Sequence, residues 1–269
     1  MCSSSGTISV DSSPSSEPAV AAPSGLDALL VAIGNFAFQY RDFIAPVSIG
    51  LVVLLTMPGP FLGSRTLDRW WDLAGILVCL TGQTLRLLVI GLAYIQRGGK
   101  NKQIAADKLV IEGIFAHARH PLYVGNFLLL SGLMMIWNSP WGYLVAALLA
   151  IGLFCMARAE EVFLRRKFGP AFDDYCARVP RFIPNLRGLG ATLAKFSFDW
   201  KRVLRKEYGT TFSWTTTAVI LSIVERLRWD GAAAAAPAIG RLLVLWLLLA
   251  AAWGTARWMK KTRRLVSAD

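Results

Sequence analysis

The sequence predicts an all-α protein, a polytopic transmembrane helical bundle of about six spans in which one pair forms a tight helical hairpin. Three observations carry this. Hydrophobic residues make up 55% of the 269 and charged residues only 17%, with a mean hydropathy of +0.47, well to the apolar side of soluble domains. The apolar residues fall in long unbroken runs, several near the roughly 20 residues that cross a hydrocarbon core. The Lys and Arg residues that give the chain its +12 charge sit in the segments between those runs, as in loops facing an anionic cytoplasmic leaflet and not as in a nucleic-acid-binding face.

Residues 1–25 hold nine serines and three prolines and no Lys or Arg. They lack the basic start of a secretory signal and read as a disordered cytosolic tail. Residues 26–69 follow as an interfacial helix and a first span. Leu26 to Tyr40 is apolar but only 15 residues long, which suits a helix lying in the interface. Phe43 to Leu62 is the first crossing. Trp70 to Ile95 is the second, and Leu122 to Trp137 and Pro140 to Ala157 are the third and fourth. The last two are separated by "NSP", which is turn chemistry and predicts the hairpin. Residues 188–269 complete the chain as an interfacial segment and two further spans, Thr211 to Val224, which stops at Glu225, and Ile239 to Trp258.

The basic loops set an orientation. Residues 96–121 carry Arg97, Lys100, Lys102, Lys108 and Arg119, residues 158–210 carry a dozen bases, and the end carries Lys260, Lys261, Arg263 and Arg264. All face the cytoplasm by the positive-inside rule, as do both termini. Cys2, Cys79, Cys155 and Cys176 have no ligand-like spacing, so neither a disulfide framework nor a metal centre is expected. "RGLGATLAKF" lacks the third glycine and the preceding strand of a dinucleotide fingerprint.

Both histidines of the chain lie in "HARHPLYVG", residues 117–125. Pro121 disfavours helix at His120 and can itself open a helix, so the imidazole of His120 is held at a helix mouth where unpaired N–H groups attract anions. An interfacial belt of His, Tyr and Arg reads the same stretch structurally. Glu160 and Glu161 are neighbours on a helix and point about 100° apart. Glu161 has Arg158 at i−3 and Arg165 at i+4, which makes it a surface salt-bridge partner. Glu160 has only Met156 and Leu164 at those offsets, so no local base answers it, and it reads either as a ligand for something cationic or as a carboxylate solvated at the membrane surface. Arg86 lies inside the second run and needs a partner there, either an anionic substrate group or backbone carbonyls.

"GIFAHARHPLYVG" followed by "EEVFLRRKFGPAFDDYCARVPRFIP" resembles the isoprenylcysteine carboxyl methyltransferase and phospholipid methyltransferase superfamily, over residues 70–187. The shared patterns are RHPxYxG and EExxLxxxFGxxYxxYxxxVP, with Phe172 in place of the first Tyr and Tyr175 preserving the second. The resemblance implies a methyltransferase core using S-adenosylmethionine in a cytosol-facing pocket beneath the hairpin. By position it implies that Asp107, Lys108, Leu109 and Val110 wrap the donor, that Phe115 lies beside it, that His120, Pro121, Leu122 and Tyr123 grip it, and that Glu160 answers its cationic part. His117 is then a dispensable loop residue. The prenylcysteine enzymes carry a substrate arginine where this chain has Met156. Arg158 points away from that position, so Arg86 or Arg119 is the substitute. The implied reaction is methylation of a lipophilic acceptor entering from the bilayer, a carboxylate of an isoprenylcysteine-like or isoprenoid compound. The alternatives are N-methylation of a phospholipid amine, an NADPH-dependent oxidoreductase of the sterol-reductase type, and a scaffold without catalysis. The expected location is the plasma membrane in a bacterium or the endoplasmic reticulum in a eukaryote, among membrane lipids and without a nucleic-acid partner.

Overall fold

The computed structural model describes residues 25–92, 104–106, 108–195, 197–262 and 264, and the expected N-terminal tail lies outside them. They form seven α-helices and two short 3₁₀ turns, with no strand among them: α1 Gly25–Leu55, α2 Arg65–Leu92, α3 Pro121–Trp137, α4 Pro140–Phe168, α5 Pro170–Arg178, α6 Leu189–Lys195 and α7 Trp200–Lys261. Helices α1, α2, α4 and α7 are each long and apolar enough to cross a membrane, and α3 is a shorter apolar helix of 17 residues. The protein is a helical membrane bundle.

Two compact units divide the chain. The first draws on Met1–Val47, Leu92–Val124 and Leu148–Ser197, the second on Ser48–Gly91, Gly125–Ala147 and Phe198–Asp269.

In the first unit, the stretch expected in the interface, Leu26 to Tyr40, is part of α1, which runs without a break for 31 residues through Arg41 and Asp42. The reason lies in what α1 meets. Arg158 of α4 grips Asp27 with two bonds of 2.8 Å, and a Cβ on Gly34 would collide with the carbonyl of Cys155. Backbones this close need a residue without a side chain, as at many membrane helix contacts. At the other end α1 stops at Leu55, short of the expected Leu62, because Pro58 and Pro60 cannot continue a helix.

In the second unit α2 and α3 meet through paired glycines. A Cβ on Gly75 would lie 2.7 Å from the Gly132 carbonyl, and one on Gly82 would lie 2.8 Å from that of Gly125. The turn from α3 to α4 is the expected hairpin. Asn138 takes a positive φ of 43°, its backbone carbonyl and side chain both bond to Gly59, and Pro140 opens α4.

Helix α7 counts 62 residues but is two helices, because Gly231 sits at φ 76°, ψ 167°. The legs fold back on each other. Trp246 Nε1 donates to Thr216 Oγ1 at 3.1 Å, Phe212 stacks on Trp253 at 5.0 Å, and Lys260 lies 5.0 Å from the Tyr208 ring. The first leg extends well beyond the expected run from Thr211 to Val224. It carries Glu207 and Glu225 through the bundle, at 1% and 5% exposure. Glu207 pairs with Arg86, and Glu225 joins Asp68 and Asp72, the three contributing carboxylate oxygens within 4.8 Å of one another.

Candidate active site

The loop before α3 is shaped by α5 and the strand-like segment after it. Gly113, at φ 64°, allows the sharp entry into the 3₁₀ turn Gly113–Ala116. Leu109 packs with Phe172, Tyr175 and Val179, and the Tyr175 hydroxyl donates to the Phe115 carbonyl at 2.7 Å. The backbone N–H groups of Arg119 and His120 then donate to the carbonyls of Pro180 and Arg181 at 2.9 and 3.0 Å, and that of Asn185 to His117 at 2.9 Å. His120 is thereby fixed one residue before Pro121 starts α3.

Its ring lies between the two acids of α4. Nδ1 is 3.4 Å from Glu160 Oε2 and Nε2 is 3.3 Å from Glu161 Oε1. Tyr123 stacks on the ring at 5.5 Å and donates its hydroxyl to Glu160 at 2.6 Å. Residues that sequence separates by forty positions therefore meet at one point. Burial disfavours the charged imidazole, but hydrogen bonds and charge from Glu160 and Glu161 outweigh it and raise its pKa above the ordinary histidine value.

The two acids differ in a way that local spacing does not give. Glu161, expected as a surface ion-pair partner, is 1% exposed. Arg181 holds it by two bonds of 2.9 and 2.7 Å, Arg119 approaches to 2.9 Å and Arg158 to 3.8 Å. Arg165, the other expected partner, turns instead to Asp173 at 2.6 Å. Glu161 is a buried hub because a carboxylate at that depth is stable only when ringed by cations. Glu160 touches no arginine among the described residues, and its side chain is 26% exposed.

His117 also departs from expectation. It is buried, with Nδ1 2.6 Å from the Asn185 carbonyl and Nε2 2.9 Å from Thr192 Oγ1 of α6. Both ring nitrogens are engaged, so the residue ties α6 to the loop and does not stand free in it.

Of the remaining candidates, Pro121 is buried and Leu122, Val110 and Phe115 are half-buried, while Lys108 is exposed. Asp107 lies outside the described residues. Arg119 also donates to Cys176 Sγ at 3.0 Å. Arg86 lies in the second unit, where Nε and Nη2 each donate to Glu207 at 2.9 Å and Nη1 donates to Asn126. Met156 is buried and uncharged. Sequence reasoning missed Arg181 and Asp27. Arg181 was in view within "VPRFIP", but only its long-range pairing with Glu161 sets it apart.

Residues 71–171 match the family described as phospholipid methyltransferase. Among curated proteins the chain is 32% identical over 173 residues to the nickel-cobalt-cadmium resistance protein NccN of Alcaligenes xylosoxydans xylosoxydans, covering 63% of this chain and 73% of that protein. It is 30% identical over 126 residues to protein-S-isoprenylcysteine O-methyltransferase of Rattus norvegicus, covering 45% of this chain and 43% of that one. With the Schizosaccharomyces pombe protein of the same name it shares 34% over 114 residues, covering 40% and 46%. The chain thus spans under half the length of these two methyltransferases. No solved structure matches it significantly. The matched stretch contains both acids and the imidazole between them, and the chain belongs to the isoprenylcysteine carboxyl methyltransferase and phospholipid methyltransferase superfamily of membrane methyltransferases.

Proposed function

We propose that the protein transfers the methyl group of S-adenosylmethionine to a carboxylate on a lipophilic acceptor that arrives from the bilayer. One observation carries the donor side of this reading. Glu160 is a partly exposed carboxylate beside His120 and Tyr123, and of the adjacent acids it is the one that no arginine touches among the described residues. It keeps a negative charge on offer for a cationic ligand, which a sulfonium compound with an amino group is. His120, Pro121, Leu122 and Tyr123 shape the site on the α3 side, with Lys108, Leu109, Val110 and Phe115 along the loop before it. Asp107 belongs to the same proposal by its place in the sequence.

When bound, S-adenosylmethionine supplies a methyl on cationic sulphur, which an acceptor carboxylate takes to give a methyl ester and S-adenosylhomocysteine while the C–S electron pair stays on sulphur and no proton moves. The chain's own residues bind and orient. Tyr123 and His120 fix the Glu160 carboxylate from two directions, and Glu161, held by arginines, fixes His120. Alignment of this kind is worth about 7 to 11 kcal/mol when near ideal.

Proton accounting supports the carboxylate acceptor. His120 has a carboxylate at each ring nitrogen, Tyr123 donates to Glu160, and Glu161 is covered by arginines. His120 and Glu161 are thus engaged and Glu160 is reserved for the donor, so none of the three is left as a base, and an amine acceptor needs one whereas a carboxylate does not. The three consecutive bases in the last turn of α4, Arg165, Arg166 and Lys167, support a cytosolic position for the site.

Membranes incubated with radiolabelled S-adenosylmethionine are expected to yield base-labile label, released as methanol from an ester. Base-stable label in a phospholipid would overturn the carboxylate reading. Glu160→Gln removes the charge at nearly constant volume, and S-adenosylhomocysteine titration of the purified variant is expected to show affinity at least about tenfold weaker, which is 1.4 kcal/mol. An unchanged affinity would refute the donor site.

A further inference from the structure

We propose that Arg181 is the residue that receives the acceptor's carboxylate, so that it sets the enzyme's preference for acids over neutral lipids. The inference rests on the methyl-transfer reading only for what the bound acid goes on to do.

The charges around Glu161 do not balance. Arg119, Arg158 and Arg181 bring three positive charges, and among the described residues the carboxylates in contact with them are Glu161 and Asp27. Asp27 is taken by both forks of Arg158, at 2.8 Å each. Glu161 is left to answer both Arg119 and Arg181. One positive charge therefore remains uncompensated at a partly buried place, where an anion is favoured. A cationic donor held by Glu160 adds to that demand.

Exposure decides between the two arginines. The side chain of Arg119 is 14% exposed, and its Nη1 is spent on Glu161 and Cys176. That of Arg181 is 27% exposed. Its Nε and Nη2 hold Glu161, while Nη1 makes no hydrogen bond to the described residues. Glu161 thus fixes one edge of the guanidinium and leaves the other presented, as a planar fork for a carboxylate requires.

The surroundings suit an amphipathic molecule. The guanidinium lies 5.3 Å from the centre of the Phe154 ring, Phe154 and Phe182 are 6.3 Å apart, and Phe182 is 6.0 Å from His120. Phe154 is 38% exposed, so an apolar chain attached to the acid has an aromatic surface to lie on. Arg181 and the donor side are also coupled. Arg181 Nε and His120 Nε2 approach the same oxygen of Glu161, at 2.9 and 3.3 Å, and Nδ1 of the same ring faces Glu160. One imidazole therefore separates the anion-binding group from the cation-binding one. Met156, buried and neutral, plays no such part.

The test compares farnesylthioacetic acid with its primary amide, by direct binding to the purified protein without donor. The wild type is expected to bind the acid at least about tenfold tighter. Arg181→Gln is expected to lower acid affinity to that of the amide, and Arg181→Lys to keep part of the preference. Equal binding of acid and amide by the wild type overturns the proposal, even where Arg181→Gln does not fold. So does an Arg181→Gln variant that folds and retains the preference. A wild type that prefers the acid yet binds no S-adenosylhomocysteine sinks the methyl-transfer reading and leaves Arg181 as an acid receptor.

Discussion

His120 is pinched between neighbouring carboxylates of one helix, and its protonation has a direct consequence for stability. Burial pushes its pKa down, but the hydrogen bonds and charges of Glu160 and Glu161 push it further up, above the ordinary 6.5. A group whose folded pKa is raised contributes its full stabilisation below the unfolded value and loses it as pH rises through the folded one. The thermal midpoint of the detergent-solubilised protein is therefore expected to fall as pH rises above about 7. The fall should be shallower in His120→Gln, and parallel slopes for the two proteins would contradict the ion-pair account. At this scale the sequence was half legible. That Glu160 lacks an intrahelical base follows from i±3 and i±4 neighbours alone. The same rule misplaced Glu161 on the surface, because Arg119 and Arg181 reach it from segments about forty and twenty positions away. His117, set aside as a loop residue because the resemblance gives the donor to His120, is held by Asn185 and Thr192, which come from beyond α5.

Among the elements, α1 and α4 depend on Gly34. A branched side chain there must displace the backbone of Cys155, and overpacking of a tight contact costs about 1 to 3 kcal/mol. Gly34→Val is expected to lower the thermal midpoint by several degrees and to weaken the Asp27–Arg158 pair one turn and more away. Gly50→Val is the control, because nothing lies within 4 Å of a Cβ at that position, and equal losses in the two variants would argue against the crossing. Helix existence was readable from the apolar runs, and the hairpin from its turn residues. Helix ends were not. Arg41 and Asp42 look like a break between two elements, yet helix needs only backbone bonds and a tolerable surface for charges, and α1 continues through them. Glu225 looks like a stop, yet the first leg of α7 runs past it to the break at Gly231.

For the whole molecule, the buried pair of Arg86 and Glu207 sets a test of its own. Both are almost fully buried. Removing one partner strands a charge and costs about 3 to 5 kcal/mol, whereas replacing both by apolar residues is often neutral. Glu207→Met is expected to destabilise strongly, and the double change Arg86→Met with Glu207→Met to recover most of the loss in thermal unfolding. Methyl transfer by the recovered double variant would make Arg86 a structural residue, and its loss would restore the substrate role read from the sequence. The need for a partner at Arg86 was visible from its depth in an apolar run. Which residue supplied it was not, since Glu207 lies 121 positions along the chain. The adjacency of Glu160 and Glu161 carries one more consequence. Because one acid serves the arginines and its neighbour is the one proposed to take the incoming cation, a single residue inserted between Pro140 and the acid pair would swing both about 100° around α4, turning Glu160 toward the arginines and Glu161 away from them. The count of residues in that stretch is thus a functional quantity, and length variation should be confined to the parts of the protein beyond it.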